Sequence, residues 1–143
     1  DALEIIPSGI NLVVSDIATY EYENPDYSSE LYDAGVRYFP YLAIEHYLGI
    51  KNPCTYIYIM DSDFFSKFGS DKLKEILDKK ATIKAFVALP QDMFQKESES
   101  KSLLILNNTP TQDKHIPIYM LPSLKEKNAF LNTMSDLLNE LIK

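Results

Sequence analysis

The chain predicts an α/β domain, and three observations carry that expectation. Short apolar and β-branched runs alternate with longer stretches in which apolar residues recur every three or four positions. The third and fourth apolar runs lie about a dozen residues apart, too close for a helical crossover, so these two strands are antiparallel. Hydrophobic residues make up 45% of the 143 positions, enough for the core of one domain spanning 1–143.

The elements follow in order. Ile10–Val14 is a nearly continuous apolar run, as in a strand buried on both faces. Asp16 to Arg37 is acidic and polar, with Tyr20, Tyr22, Tyr27 and Tyr32 set among carboxylates. At about twenty residues it reads as a mobile or functional loop with few buried contacts. Tyr38–Leu48 predicts a helix that tolerates Pro40 in its first turn and ends at Gly49. Thr55–Met60 is β-branched and aromatic and predicts the second strand. Asp63 caps a short turn at Phe64 and Phe65, or is solvated together with Asp61. Ser70 caps a helix over Asp71–Lys80 that places Leu73, Ile76 and Leu77 inward. Ile83–Leu89 and Ser102–Leu106 are the third and fourth strands, joined by a polar loop. Ile116–Leu121 is a short extra strand weakened by Pro117. Ser123 and Glu126 form a capping box before a final helix with Phe130, Met134, Leu137 and Leu141 on one stripe.

Charge and composition narrow the function. The net charge is −7, and residues 1–50 hold nine acids against the single base Arg37. That third repels phosphate, so nucleic-acid affinity falls to the lysine-bearing remainder or to another segment. No apolar run approaches the roughly 20 residues of a membrane span. Cys54 is the lone cysteine, which excludes an internal disulfide and suggests a reducing cytoplasm. His46, His115 and Cys54 show no metal-ligand spacing, and His46 reads as a hydrogen-bonded helix residue.

Three segments carry a family resemblance: Asn11-Leu-Val-Val-Ser-Asp-Ile-Ala-Thr-Tyr20, Phe86-Val-Ala-Leu-Pro-Gln-Asp-Met-Phe94 and Lys101-Ser-Leu-Leu-Ile-Leu106. In this order they resemble the later motifs of the bacterial adenine-specific N6 DNA methyltransferases, including the modification subunits of type I systems. The resemblance implies half of a Rossmann-like class I methyltransferase sheet, in the order 1-2-4-3, with the last-inserted strand antiparallel and helices on its flanks. It implies that S-adenosylmethionine is held by an upstream N-terminal half, since no glycine-rich turn occurs in these residues.

In that family an Asn-Pro-Pro-aromatic loop offers two acceptors to the target amine and a ring to the flipped base. The aligned residues here are Asp16, Ile17, Ala18 and Thr19. Asp16 keeps an acceptor and Ile17 a backbone carbonyl, so these two are the catalytic candidates. Thr19 stands at the aromatic position without a ring, and Tyr20 or Tyr22 supplies the stacking face from a shifted place. Phe94 corresponds to a family aromatic beside the target base, or is a core residue capping the third strand. Asp1 matches an acidic residue near the cofactor's adenine, or is a frayed terminus. Asp16 is equally readable as a turn-forming aspartate.

Two functions are therefore weighed. One is the substrate side of a methyltransferase with DNA as partner; the other is an inactive methyltransferase-like module that binds a protein or nucleotide. In either case the outer edge of the first strand is unpaired, and it is expected to pair in a homodimer or to be shielded by the final helix.

Overall fold

A computed structural model describes residues 3, 5–94, 100–113 and 115–141. The elements in chain order are β1 (Leu12–Asp16), α1 (Glu30–Asp33), α2 (Phe39–Tyr47), β2 (Thr55–Asp61), α3 (Ser70–Lys80), β3 (Thr82–Ala88), β4 (Lys101–Asn107), β5 (Ile118–Met120) and α4 (Lys127–Leu141). Single 3-10 turns follow β2 at Phe64–Ser66 and β3 at Gln91–Met93.

The five strands form one sheet in the order β1-β2-β4-β3-β5. β1 runs parallel to β2, while β4 is antiparallel to both β2 and β3. The predicted insertion of the fourth strand between the second and third is thus present. β5 adds a fifth strand, parallel to β3 at its outer edge. Since β1, β2 and β3 share one direction, their C-terminal ends meet on one side of the sheet, where ligands of open α/β folds bind.

Each face of the sheet has its own core. On one face Tyr56, Tyr58, Met60, Leu104 and Leu106 pack under α2, α3 and the tyrosine-bearing segment. On the other, Ala85, Val87 and Ile105 meet Leu121 and Leu137 from the C-terminal segment. Fully buried side chains of this size contribute about 1.5–3 kcal/mol each. α3 is amphipathic, and Leu73, Ile76 and Leu77 are its buried stripe.

Several local expectations are corrected. β1 begins two residues later than expected and includes Asp16. It is an edge strand rather than one buried on both faces: Leu12 is 51% and Val14 61% exposed. α4 lies over β3 and β4, so it does not shield the β1 edge. Gly69, not Ser70, caps α3. Its φ is +93°, and a Cβ there would stand 2.4 Å from Val36 Cγ2, so only glycine fits. The predicted capping box is absent as well. Ser123 donates to the Asp92 carboxylate (2.5 Å), and α4 starts beyond it, at Lys127.

The segment from Asp16 to Arg37 is packed. Leu31 and Val36 are fully buried, and Tyr22 and Tyr32 nearly so. Ser29 caps α1 by accepting from Tyr32 N (3.1 Å). Tyr22 meets Tyr27 and Tyr32 edge-on at 5.4 and 6.1 Å. The aromatic rings supply the anchoring that the sequence lacks in aliphatic residues.

Candidate functional site

The C-terminal ends of β1 and β2 and the start of β4 converge. Asp16 is the last residue of β1 and pairs with Ile59. Asp61 ends β2 opposite Lys101, the first residue of β4. The Lys101 ammonium sits 3.6 Å from Asp61 Oδ1 and 3.9 Å from Asp16 Oδ1. It thereby links a strand to which β4 is not hydrogen-bonded. Partly solvated pairs of this kind contribute at most about 1 kcal/mol, so the consequence is positional. Lys101 draws the Asp16 carboxylate toward β2 and offsets the repulsion between the two acids.

Beyond Asp16 the chain makes one more ladder bond, from Ile17 N to Ile59 O (3.4 Å). The Ile17 side chain is buried. Among the described residues, none donates to its carbonyl oxygen. The segment is then stapled to the start of α2. Tyr22 N donates to Arg37 O (2.7 Å), and Phe39 N donates to Tyr20 O (2.9 Å). The rings follow the backbone: Tyr20 stacks on Phe39 with centroids 4.6 Å apart and planes 17° from parallel. Tyr20 stays 48% exposed, so a second π-surface remains open to solvent.

The structure sorts the candidates. Asp16, Ile17 and Tyr20 lie within one short stretch at the sheet end. Thr19 is exposed beside them and brings no ring. Tyr22 is only 6% exposed and belongs to the core, which removes it as a stacking face. Strand-like alternation about the Glu21–Tyr38 bridge puts Tyr20 and Tyr22 on one face, where both rings meet Phe39, and Glu21 on the other; of the two rings Tyr22 is buried and Tyr20 half-exposed. Phe94 is partly buried after the Gln91–Met93 turn. The end of β3 lies three strand spacings from β1, roughly 14 Å. Among the described residues, Phe94 makes no ring contact with Tyr20 or Phe39. Asp1 lies outside the described residues.

Sequence reasoning missed Lys101 as a partner of Asp16, and Phe39 as the support of Tyr20. A basic residue opening the inserted strand was the available signal for the first, and an aromatic residue at the start of α2 for the second. Asp63 is the N-cap of the turn at Phe64, its carbonyl accepting from Ser66 N (2.9 Å), while its side chain makes no capping bond and pairs with Lys67 at 3.2 Å. His46 Nε2 lies 2.8 Å from Ile5 O, in keeping with a structural histidine.

Among the described residues, no group of three or more metal-ligating side chains occurs, and no helix is long and apolar enough to cross a membrane. Gly9, Gly35, Gly49 and Gly69 are isolated in the sequence; Gly69 caps α3, but a 3-10 turn separates it from the end of β2.

No family model matches the chain, and no curated protein matches it. Solved structures do. One is a protein from Listeria monocytogenes provisionally assigned as a class I S-adenosylmethionine-dependent methyltransferase, with TM-score 0.79 and 21% identity, covering 96% of this chain and 44% of that one. Another is a modification subunit of a provisionally assigned type I restriction enzyme from Vibrio vulnificus, with TM-score 0.61 and 15% identity, covering 88% of this chain and 31% of that one. At these identities the likeness is one of fold, an α/β Rossmann-like sheet with flanking helices. The chain spans less than half the length of either structure.

Proposed function

We propose that the chain forms the substrate side of an S-adenosylmethionine-dependent methyltransferase that acts on an aromatic amine, with adenine N6 in DNA as the acceptor. The supporting observation is the grouping at one sheet end of the Asp16 carboxylate, the Ile17 carbonyl and the open face of Tyr20. An exocyclic amine is a poor nucleophile while its lone pair is delocalised into the ring. Two acceptors that take its two N–H bonds favour the geometry in which the lone pair is free. Tyr20, backed by Phe39, would stack on the ring of a base swung out of the duplex, and Lys101 would hold Asp16 in place.

S-adenosylmethionine would supply an electrophilic methyl group. The described residues do not fit it, so its binding is assigned to a further segment outside these 143 residues. The likeness to longer methyltransferase folds supports this assignment. The likeness to a modification subunit supports DNA as substrate.

The test is transfer of labelled methyl groups by the full-length protein to adenine-containing duplex oligonucleotides. Asp16→Ala should lower the rate about 100-fold, the scale for losing one preorganised polar contact, with the circular dichroism spectrum unchanged. Full activity in that variant would overturn the reading. A second reading, an inactive module that binds a nucleotide or protein, is favoured by the sequence Asp16-Ile-Ala-Thr19, which has neither proline of the family loop and no ring at Thr19. It predicts adenine-nucleotide or protein binding without methyl transfer.

A further inference from the structure

The loop that follows β2 carries a ring that the core does not use. Phe64 is fully buried, and the Tyr41 hydroxyl donates to its carbonyl. Lys67 pairs with Asp63 at 3.2 Å, and Val36 packs against Gly69 at the start of α3. Between these anchors Phe68 is 74% exposed. Neighbouring rings are paired: Tyr38 with Tyr41, Tyr41 with Phe64, and Phe64 with Phe65. Among the described residues Phe68 meets no other ring. Its edge lies over Gly35, where a Cβ would stand 3.9 Å from Phe68 Cε1. A ring mounted on anchors of this kind loses little freedom when it binds.

Phe68 borders two hollows. The smaller, about 160 Å³, is lined by Glu21, Gly35, Arg37, Tyr38, Lys67 and Phe68. The larger, about 440 Å³, holds Lys67, Ser70, Asp71 and Lys72. Arg37 is paired with Glu23 (3.5 Å) and Lys67 with Asp63. The Glu21 carboxylate pairs with no described residue.

We infer that Phe68 and the smaller hollow form a subsite for a nucleotide whose base carries an exocyclic amino group. Tyr38 and Phe68 give the base aromatic walls, and stacking on such rings is tolerant of sequence. Glu21 accepts from the amino group, as carboxylates do from cytosine. The attached phosphate falls to Lys67 and Lys72 on the other side of Phe68. A simple cation finds Glu21 but is opposed by both lysines, and a simple anion finds the lysines but no use for the rings. The subsite rests on the DNA reading only for the origin of its base. Glu21 and Tyr38 adjoin Tyr20 and Phe39 in the chain, on the other face of their bridge, so the base would be one near the target in the same strand.

The test is a ¹H–¹⁵N NMR titration of the 143-residue chain with deoxycytidine monophosphate and thymidine monophosphate, with ribose phosphate and benzylammonium as controls. Saturable shifts at Gly35, Phe68 and Gly69 are expected with the cytosine nucleotide, at least about fivefold weaker with the thymine one. Phe68→Ala should weaken binding about tenfold, and Glu21→Ala should abolish the preference; both side chains are exposed, so the spectra should stay dispersed. Absence of saturable shifts would overturn the subsite, as would unchanged binding in Phe68→Ala. Equal binding of ribose phosphate would overturn it by making the start of α3 a plain anion site, and equal binding of benzylammonium by making Glu21 a plain cation site. Methyl transfer by the full-length protein separates this inference from the reading it extends. Transfer with nucleotide binding indifferent to Phe68→Ala sinks the subsite alone; binding at Phe68 without transfer sinks the methyltransferase alone and leaves a free nucleotide as the ligand.

Discussion

Two tyrosines two residues apart should respond to truncation in opposite ways. Tyr22 is 6% exposed and touches Tyr27, Tyr32 and Phe39. Truncating a buried ring of this size to alanine costs about 3–5 kcal/mol, transfer and cavity together. Tyr20 is 48% exposed and packs through one face on Phe39. Its stacking contributes about 0.5–1.5 kcal/mol, and with partial burial Tyr20→Ala should cost no more than about 2 kcal/mol. An unfolding entropy of about 2.1 cal/mol/K per residue gives roughly 0.3 kcal/mol/K for a chain of this length. Tyr22→Ala should therefore lower the melting temperature by about 10–17 °C, and Tyr20→Ala by less than about 7 °C. Calorimetric melts of the two variants decide the matter. Equal losses, or a larger loss for Tyr20→Ala, would mean that the tyrosine wall is not packed as described and that Tyr20 has no open face to offer a base.

Four further outcomes are expected. The 143-residue chain alone should show no micromolar heat of binding with S-adenosylmethionine, since its four glycines are isolated and form no glycine-rich motif; such binding would refute the half-fold. Burial raises Tyr41 from its ordinary value near 10 to about 12 and also raises Tyr27, Tyr38, Tyr56 and Tyr58. The unfolded chain releases these protons first, so stability is fully present below pH 10 and falls as the pH rises from 10 toward 12, which alkaline urea titrations should show. Hydrogen bonds from Ser123 and from Leu124 N hold the Asp92 carboxyl below its usual range. Asp92→Ala should speed amide exchange at Leu124 and Lys125 without a change in β4, and unchanged exchange would sink the tie. We also propose that the open β1 edge pairs between two copies. Val14→Lys should then convert a dimer to a monomer in light scattering, and a monomeric wild type would exclude this.

Legibility in the sequence varied with the source of each constraint. The inserted antiparallel strand was readable because a short connection permits only one strand direction. α3 was readable because its apolar spacing is set by its own face. The failures occur where a distant residue decides. Val36 requires glycine at 69, so the cap moved from Ser70. Asp92 captures Ser123 and prevents the capping box. The bridge to Tyr38 turns Tyr22 inward, although its neighbours are acidic. At the candidate site, the position of Asp16 and Ile17 at the end of a strand was readable, whereas the roles proposed for them come from the family resemblance. Lys101 was not, because it reaches Asp16 across β2 only once the sheet order is known.

The charge distribution constrains any DNA reading further. The tyrosine wall is bordered by the exposed acids Glu21, Glu23, Asp26 and Glu30, whereas Lys72, Lys74, Lys79 and Lys80 are carried by α3. Arg37 is committed within the wall: its guanidinium lies 3.6 Å from the Tyr32 ring centroid and donates to Tyr32 O (2.8 Å). Arg37 and Lys101 are therefore both engaged, Arg37 with Tyr32 and Glu23 and Lys101 with Asp16 and Asp61. On the DNA reading proposed above, a duplex approaching Tyr20 would meet like charge from these acids, and phosphate neutralisation would have to come from elsewhere. On that reading base recognition and backbone affinity would be separable. Tyr20→Ala should weaken productive base capture without changing the salt dependence of DNA binding, because that slope counts neutralised phosphates and Tyr20 neutralises none.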